Sequence, residues 1–436
     1  AVFKNTTFDM RMYKNLQMFL HAESVLGSVP VRNDELVAIL RLGSDNDNNF
    51  YQIEVPLKIT GFDAVTAEEI WPEENNLLTK LEELGNLKLQ RLEEGAAANE
   101  LFPAIVNGEP AEYRIRVKGN PNLANIRTIM MGVKNVSETP KNMEVWFNEL
   151  RLSEFDNEGG WAANLNADAN IADFANLSLS SNLFTKGFGA IDQRVNERSQ
   201  EDVFQYGVIT TVNMGQLLPK KVGLNLPINV SFSEEFRDPK FDPRYQDVLF
   251  DNGSTDSDLA RDYTQRRSIN FINVRKNVTT FDRKPHFYDI ENLSFSYSYN
   301  DMYQRNYNIQ KFLDQRLRTS LNYAYSLQPK YLEPLKNWGP ISNKDYLLFL
   351  RELNINLIPS SITVNSNIIR SYNEQLSRSL VEGLPDLPTL TQRNFMFNWD
   401  YLIAYNLTKS IQLTFRALDS YVYDDFEGEN NIQLYD

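Results

Sequence analysis

The chain has 436 residues and a formal net charge of -14, with 42% hydrophobic and 23% charged residues. This composition excludes wholesale disorder, and the acidic balance argues against a nucleic-acid partner, whose phosphates it would repel. Cysteine is absent and the only histidines are His21 and His286, which excludes disulfides, thiolate catalysis, iron–sulfur clusters, Cys-ligated zinc and multi-histidine metal sites.

At ~100–200 residues per domain, the length allows roughly two to four domains. No apolar run approaches the ~18 residues of a membrane helix, and the mean hydropathy is -0.45. Barrel strands alternate and escape such a scan. The polar start, Lys4-Asn5-Thr6-Thr7, contains no apolar targeting core. The expectation is a cytosolic chain or a processed piece of something longer.

Residues 1–155 read as short strands with charged outer positions: Leu36 to Leu42, Tyr51 to Ile59, Tyr113 to Val117 and Val145 to Leu152. Asp45, Asp47 and Asn49 have calcium-loop spacing, but Phe50 replaces the required Gly and Pro56 the twelfth-position Glu, so a hairpin tip is expected. From Glu73 to Glu94, Leu77, Leu78, Leu81, Leu84, Leu87 and Leu89 recur at helical spacing. One helix interrupted near Gly85 is predicted there, packed on a β-sandwich of jelly-roll type. Residues 153–160, ending in Gly159-Gly160, read as a linker.

Residues 161–420 carry a sharper pattern. Val222, Leu224, Leu226, Ile228, Val230 and Phe232 alternate with Gly223, Asn225, Pro227, Asn229, Ser231 and Ser233, which is period two over a dozen residues. The pattern recurs at Leu293, Phe295, Tyr297 and Tyr299, and at Leu317, Leu321, Tyr323, Tyr325 and Leu327. It returns at Leu353, Ile355 and Leu357, at Ile362 and Val364, and at Phe395, Phe397, Trp399, Tyr401, Ile403 and Tyr405, followed by Ile411, Leu413 and Phe415. About eleven strands are predicted. Residues 421–436 read as an acidic tail or a strand connection.

Two architectures compete for these strands, a soluble sandwich and an antiparallel transmembrane β-barrel. Ordinary strands run ~5–6 residues, whereas crossing an apolar band ~25 Å tall at a tilt takes ~9–11. The apolar faces of the clearest strands lack Lys, Arg, Asp and Glu, and the opposite faces carry Asn, Ser and Thr, which suits a hydrated lumen. Tyr, Phe and Trp cluster toward the expected strand ends, as an interfacial girdle requires. These features favour an all-β chain: a barrel portion over 161–420 behind a sandwich over 1–155. The lipid-facing set is then Leu224, Leu226, Ile228, Val230, Phe232, Leu293, Phe295, Tyr297, Tyr299, Leu321, Tyr323, Tyr325, Phe397, Trp399 and Tyr401.

Connections at Pro359 to Ser361 and Leu407 to Ser410 read as short turns. Lys186 to Asp202, Glu234 to Arg267 and Asn373 to Arg393 read as long loops, and no clear short turn emerges between residues 276 and 348. An odd strand count does not close a bacterial barrel, and lipid supplies no hydrogen-bond partner to an open edge. The chain is therefore expected to be part of a larger barrel.

Several stretches resemble the SprA/Sov family. They are Val145-Trp146-Phe147-Asn148-Glu149-Leu150-Arg151-Leu152 with Gly159-Gly160-Trp161-Ala162-Ala163; Asp173-Phe174-Ala175-Asn176-Leu177-Ser178 with Thr185-Lys186-Gly187-Phe188-Gly189; Pro285-His286-Phe287-Tyr288-Asp289; and Phe397-Asn398-Trp399-Asp400-Tyr401. That family forms the outer-membrane translocon of type IX secretion, and its members are several times longer than this chain. The resemblance implies a very large barrel in the bacterial outer membrane, with a lateral gate, exporting folded cargo and linked to gliding motility. The largest barrel known has 36 strands, a number taken from that known barrel and not from this sequence. With strands ~4.8 Å apart and tilted ~40°, it would be roughly 70 Å across. The implied partners are membrane lipid, a PorV-like outer-membrane barrel, a periplasmic plug protein and secreted cargo bearing the type IX C-terminal signal.

No catalytic, cofactor or metal residues emerge. His286 near Asp289 lacks a Ser partner, Glu234/Glu235 and Asp424/Asp425 read as solvated loop charge, and Gly187-Phe188-Gly189 has no Lys-Ser/Thr after it. The competing functions are a surface glycan-binding or glycan-uptake barrel, for which Tyr51, Tyr113 and Trp146 are the candidate aromatics, and a soluble β-sandwich adhesin. For those three aromatics, core positions are the preferred reading.

Overall fold

The computed structural model describes residues 1–106, 109–110, 114–194, 197–250, 257–279, 285–342, 345–379, 385 and 387–427. The chain is all-β, 55% strand and 12% helix. It divides into two compact units. Unit one comprises Ala1–Trp161, Phe184–Asp202 and Pro239–Ala260; unit two comprises Ala162–Leu183, Val203–Asp238 and Arg261–Asp436. Two segments lying between later strands thus belong with the first part of the chain.

Unit one contains β1 (Val2–Phe8), β2 (Tyr13–Ser24), β3 (Leu36–Gly43), β4 (Phe50–Pro56), β5 (Leu77–Lys80), β6 (Phe102–Pro103), β7 (Ile105–Val106), β8 (Glu109–Pro110), β9 (Ile115–Lys118), β10 (Ile126–Asn135) and β11 (Met143–Phe155). A six-stranded sheet, ordered β1-β10-β3-β4-β9-β6, and a three-stranded sheet, β11-β2-β5, make the sandwich. Its core holds Leu16, Met18 and Leu20 of β2, Leu36, Leu40 and Leu42 of β3, and Tyr51 and Ile53 of β4. Leu84 and Leu87 from the helix Leu81–Glu93 fill the same core. The alternation of inward and outward side chains on β2 and β5 is what period two requires of a strand with one covered face.

The leucine-rich stretch differs from the predicted single helix. Leu77–Lys80 is a strand, with Leu77 and Thr79 buried, Leu78 and Lys80 exposed, and Leu77 paired with Met18. The helix begins only at Leu81 and runs uninterrupted through Gly85. Gly85 is a contact position: a Cβ there would stand 2.8 Å from the Asp247 carbonyl oxygen.

Asp247 is the anchor of the inserted segment Pro239–Ala260. Its fully buried carboxylate takes Lys88 Nζ on Oδ1 at 2.5 Å, and Oδ2 accepts the Tyr51 hydroxyl at 2.7 Å and the Leu123 N–H at 3.0 Å. Lys88 Nζ also donates to the Pro121 carbonyl at 2.8 Å. Burial pulls the Lys88 ammonium below its usual range, opposed by Asp247; burial and then Asp247 push the Tyr51 hydroxyl well above its own. A second ion pair, Lys240 with Asp156 at 2.7 Å, and the Arg11 guanidinium 4.7 Å from the Phe241 ring hold the start of the segment.

Unit two is built on β12 (Ala162–Ile171), β13 (Ala175–Phe184), β14 (Glu201–Asn213), β15 (Leu224–Asn225), β16 (Pro227–Pro239), β17 (Asp262–Lys276), β18 (Leu293–Arg305) and β19 (Ile309–Ser326). These are followed by β20 (Tyr331–Leu332), β21 (Ile355–Asn356), β22 (Ser361–Ser377), β23 (Leu390–Asn406) and β24 (Gln412–Glu427). One antiparallel sheet runs β12-β13-β14-β16-β17-β18-β19-β22-β23-β24, with β15 added against β17; β20 and β21 form a separate pair. Among the described residues the sheet is open, with β12 and β24 at its edges. β16 to β24, leaving out the β20–β21 pair, run 13 to 18 residues.

Several predicted boundaries move. Val222 to Phe232 is not one strand: Lys220–Val222 is a helical turn, Gly223 sits at φ 66°, and Leu226 lies between β15 and β16. A bulge in β17 at Asn273 (φ 57°) absorbs the interruption. Leu353 to Leu357 is not a wall strand, because Ile355–Asn356 pairs with Tyr331–Leu332, so Pro359 to Ser361 is no tight turn between long strands. A short hairpin does exist between 276 and 348, at residues 306–308, where Asn306 Oδ1 accepts the N–H groups of Asn308 and Ile309. β24 continues through residues 421–427, and 428–436 lie outside the described residues.

Removing the buried carboxylate leaves Lys88 without its counter-charge, so Asp247→Ala should cost about 3–5 kcal/mol in unit one. Joint replacement, Lys88→Met with Asp247→Leu, should recover part of that loss. Denaturant unfolding measures both, and an Asp247→Ala midpoint equal to wild type would show that Asp247 does not anchor the segment.

Acid provides a second check. Burial raises the Asp45 carboxyl, but the backbone N–H of Asn48, the Asn49 side chain and the N–H groups of Asn49 and Asp47 outweigh it and hold it well below the usual range. A carboxyl depressed on folding stabilises fully above its unfolded value of 3.8 and loses that contribution as pH falls through the lower folded value. Asp45→Asn should therefore flatten the acid limb of unit-one unfolding below pH ~4 while leaving the neutral limb nearly parallel to wild type.

Candidate functional site

Residues directly opposite in an antiparallel sheet point to the same face, so the register sorts the side chains of the paired strands β15 to β19 and β22 to β24. One row runs Phe295 (β18), Leu321 (β19), Ser366 (β22), Trp399 (β23) and Asp419 (β24). The next runs Tyr297, Thr319, Ile368, Phe397 and Tyr421; another runs Leu293, Tyr323, Val364, Tyr401 and Ala417. On β16 and β17, Ile228 stands opposite Phe271 and Val230 opposite Ile269. All these residues share one face. Leu224, Phe232, Tyr299 and Tyr325 fall on it too, whereas Leu226 lies outside any strand.

Nothing in the described part of unit two covers that face. Its only buried hydrophobic side chains among the described residues are Ala175 and Val203. Phe295 is 39% exposed, Leu321 44% and Tyr401 38%. Rings pack laterally instead: Phe397 meets Trp399 edge-on at 5.0 Å, Trp399 stacks on Tyr401 at 6.0 Å, and Phe271 meets Tyr297 at 6.0 Å. Phe395, Phe397 and Trp399 occupy the middle of β23, not its end, because that strand reaches back to Leu390. Tyr323 and Tyr325 do lie at the end of β19.

The opposite face is a hydroxyl and amide ladder. Ser231 Oγ meets Ser268 Oγ at 2.6 Å, the Ser298 hydroxyl donates to Asn270 Oδ1 at 2.5 Å, and the Ser420 hydroxyl donates to Asn398 Oδ1 at 2.7 Å. Arg416 grips Asp400 through two 3.0 Å bonds on that side.

Toward the end of the sheet that carries the 306–308 hairpin, the apolar face gives way to charge and phenol. Arg267 clasps Asp301 with its shortest bond at 2.6 Å, and Lys311 meets Glu374 at 2.7 Å. Glu234 accepts the hydroxyls of Tyr206 and Tyr263 and the Gln265 amide. Glu234 and Glu235 are therefore strand residues on opposite faces, not solvated loop charge, because β16 extends to Pro239. Asp424 likewise lies within β24. Period-two continuation from Phe232 to Glu234, and from Tyr299 to Asp301, was the pattern that could have located this border.

The remaining sequence candidates resolve into structural roles. Asp45 accepts three backbone N–H groups and the Asn49 amide at a hairpin tip. His21 is buried, with Nδ1 2.7 Å from the Ile70 carbonyl and its ring between Trp71 and Trp146. His286 lies in a turn, its N–H donating to Asp289 Oδ2, and its ring stacks on Tyr288. Gly187, at φ 82°, serves a turn in which its N–H donates to the Ser199 carbonyl. Tyr51 is a core residue, Trp146 is exposed with Nε1 donating to Glu144, and Tyr113 lies outside the described residues.

If the apolar face meets a non-aqueous medium, Phe397→Arg should cost about 2–4 kcal/mol and Asn398→Arg, one residue away on the ladder face, should cost far less. Resistance of the folded protein to denaturing detergent reads the difference. Equal losses for both variants would contradict the sidedness assigned by the register.

No described helix is long and apolar enough to cross a membrane, which leaves strands as the structural question. No curated protein matches the chain. The family SprA_N, described as motility related/secretion protein, matches residues 1–253. That is more than half of the 436 residues and includes all of the sandwich strands together with β12 to β16, so the chain belongs to the SprA_N family of motility related/secretion proteins.

Proposed function

We propose that the long sheet is part of the wall of an outer-membrane β-barrel that conducts folded proteins in type IX secretion. The observation that carries this reading is the apolar face of the sheet, which no second layer within the described part of unit two covers. From Phe395 to Tyr405, the apolar side chains of β23 span ten steps of ~3.4 Å; at a tilt of ~40° this gives a band about 26 Å tall, against the ~25 Å of an outer-membrane barrel. The Ser/Asn ladder on the other face keeps a lumen hydrated and offers passing cargo few apolar contacts. Membership of a secretion and motility family supports export over uptake.

Lipid cannot satisfy the free backbone groups of β12 and β24, so further strands must pair with both. Completed to the size that the family resemblance implies, the barrel passes folded domains through a lateral gate. A PorV-like barrel and a periplasmic plug protein take turns at that gate, and cargo carries the type IX C-terminal signal. No catalytic step is part of this mechanism: lipid contact holds the wall and the hydrated face lets cargo slide.

Planar-bilayer conductance together with particle images of the detergent-extracted protein tests the reading. The expected result is a pore several nanometres wide. A small conductance blocked by oligosaccharide would replace export by glycan uptake, and a protein that stays dispersed without detergent and conducts nothing would favour a soluble adhesin.

A further inference from the structure

At the border of the apolar face, Arg370 is a cation without a partner among the described residues. Arg370 on β22 stands in the row Tyr299, Leu317, Arg370, Phe395, flanked across the strands by Leu317 and Phe395. It is exposed and makes no hydrogen bond or ion pair with the described residues, whereas Arg267 and Lys311 on the same face have carboxylates at 2.6 and 2.7 Å. The next row outward holds Asp301, Gln315, Tyr372 and Arg393. Arg393 lies over the Tyr372 ring at 5.9 Å and stands opposite Asp425 in register. The open charge of the group is therefore that of Arg370.

These two rows enclose a cavity of about 520 Å³, lined by Tyr299, Gln315, Leu317, Arg370, Tyr372 and Arg393. Its donors converge. Gln315 Nε2 donates to the Tyr299 hydroxyl oxygen at 3.0 Å, leaving that hydroxyl's own hydrogen to donate elsewhere. The Tyr372 hydroxyl is spent on Glu374 at 3.1 Å. The cavity thus combines a guanidinium fork, which matches phosphate geometry, and a phenolic donor with the apolar side chain of Leu317; Phe395 stands beside Arg370 in the same row.

We propose that this cavity binds the phosphate of a membrane-lipid headgroup, with Arg370 as the principal ligand, Tyr299 as a second donor and Leu317 and Phe395 against the first carbons of the tails. The proposal rests on the lipid-facing reading of the sheet. It follows from a constraint: an uncompensated arginine on a hydrocarbon-facing wall is costly and must reach an anion or water. A lipid phosphate at the border of the band supplies that anion without leaving the membrane. A free phosphate would satisfy the charge but make no use of Leu317 and Phe395.

Trp399 provides the reporter, two rows further into the band on β23. Detergent-purified protein is titrated with phosphatidylglycerol or with diacylglycerol, each brominated in mid-chain, and quenching is assigned to Trp399 by difference from Trp399→Phe. Both lipids should quench at saturation, with phosphatidylglycerol acting at about one tenth of the diacylglycerol concentration. Arg370→Gln should abolish that preference and Arg370→Lys should keep part of it. Arg318→Gln, on the ladder face, should leave it intact. Equal action of the two lipids on wild-type protein overturns the site while leaving the wall reading in place. Loss of the preference on adding inorganic phosphate at the lipid's own concentration assigns the cavity to a free anion and also overturns it. Absence of quenching by either lipid removes the lipid-facing reading itself.

Discussion

An apolar face must be covered by something, and the two units of this chain meet that requirement differently. In unit one, two sheets and a helix turn leucines, methionines and Tyr51 toward one another and remove them from water. In unit two, the same period-two logic aligns Ile228, Phe271, Tyr297, Ile368 and Phe397 on one surface, but the described residues supply no second layer. The hydrophobic effect is as strong per unit area in both. What differs is that the described residues of unit two do not supply the cover themselves. Strand length bears on that difference, because a strand of 17 residues such as β23 exceeds what a sandwich ordinarily uses and is more than long enough for a tilted passage through hydrocarbon, which takes ~9–11 residues.

The arrangement of charge is consistent with the same constraint. On the ladder face, ions and amides are scattered among serines, as with Arg416 and Asp400, and water can solvate whatever they leave unpaired. On the apolar face, charge gathers in the rows toward the 306–308 hairpin, and most of it is paired: Arg267 with Asp301, Lys311 with Glu374, Glu234 with two tyrosines and a glutamine. Tyrosine suits these rows because its ring can remain in the apolar layer while its hydroxyl reaches the polar one. Unit one follows a different rule for its buried ions: Asp247 is tolerated because both of its carboxylate oxygens are engaged, Oδ1 by Lys88 and Oδ2 by the Tyr51 hydroxyl and the Leu123 N–H.

Much of this was legible in the sequence, and the exceptions share a cause. Alternation at Leu293 to Tyr299 and at Phe395 to Tyr405 identified both the strands and their faces, because period two encodes sidedness directly. Leu353 to Leu357 alternates just as well but belongs to a small pair with Tyr331–Leu332; alternation does not say which neighbour a strand will find. Leu77 and Leu78 fit a helix with their neighbours until the pairing of Leu77 with Met18 pulls them into the sheet, a tertiary override of local periodicity. The hairpin at 306–308 was hidden because Tyr307 resembles a strand residue, and the turn is made by the Asn306 side chain. The buried role of Asp247 left no local trace, since its partners Lys88, Tyr51 and Leu123 lie more than a hundred residues away in the chain.

The two edges extend the argument. On β12, Ala163, Leu165, Ala167 and Ile171 alternate with Asn164, Asn166, Asp168 and Asn170, and Asp168 accepts the Ser178 hydroxyl of β13 on the polar side. On β24, Leu413, Phe415, Ala417 and Tyr421 continue the apolar face. Both edges therefore present the same two-sided pattern as the sheet between them, and neither edge strand carries the prolines that usually discourage a further strand. Asp419, opposite Trp399, is the one carboxylate set into the apolar rows, and it sits on the edge strand β24. An unpaired carboxylate is poorly tolerated in hydrocarbon. On the proposed lipid-facing reading, that edge is where the sheet most needs a neighbour, one that brings a hydrogen-bond donor or a cation to Asp419 as well as a backbone to pair with.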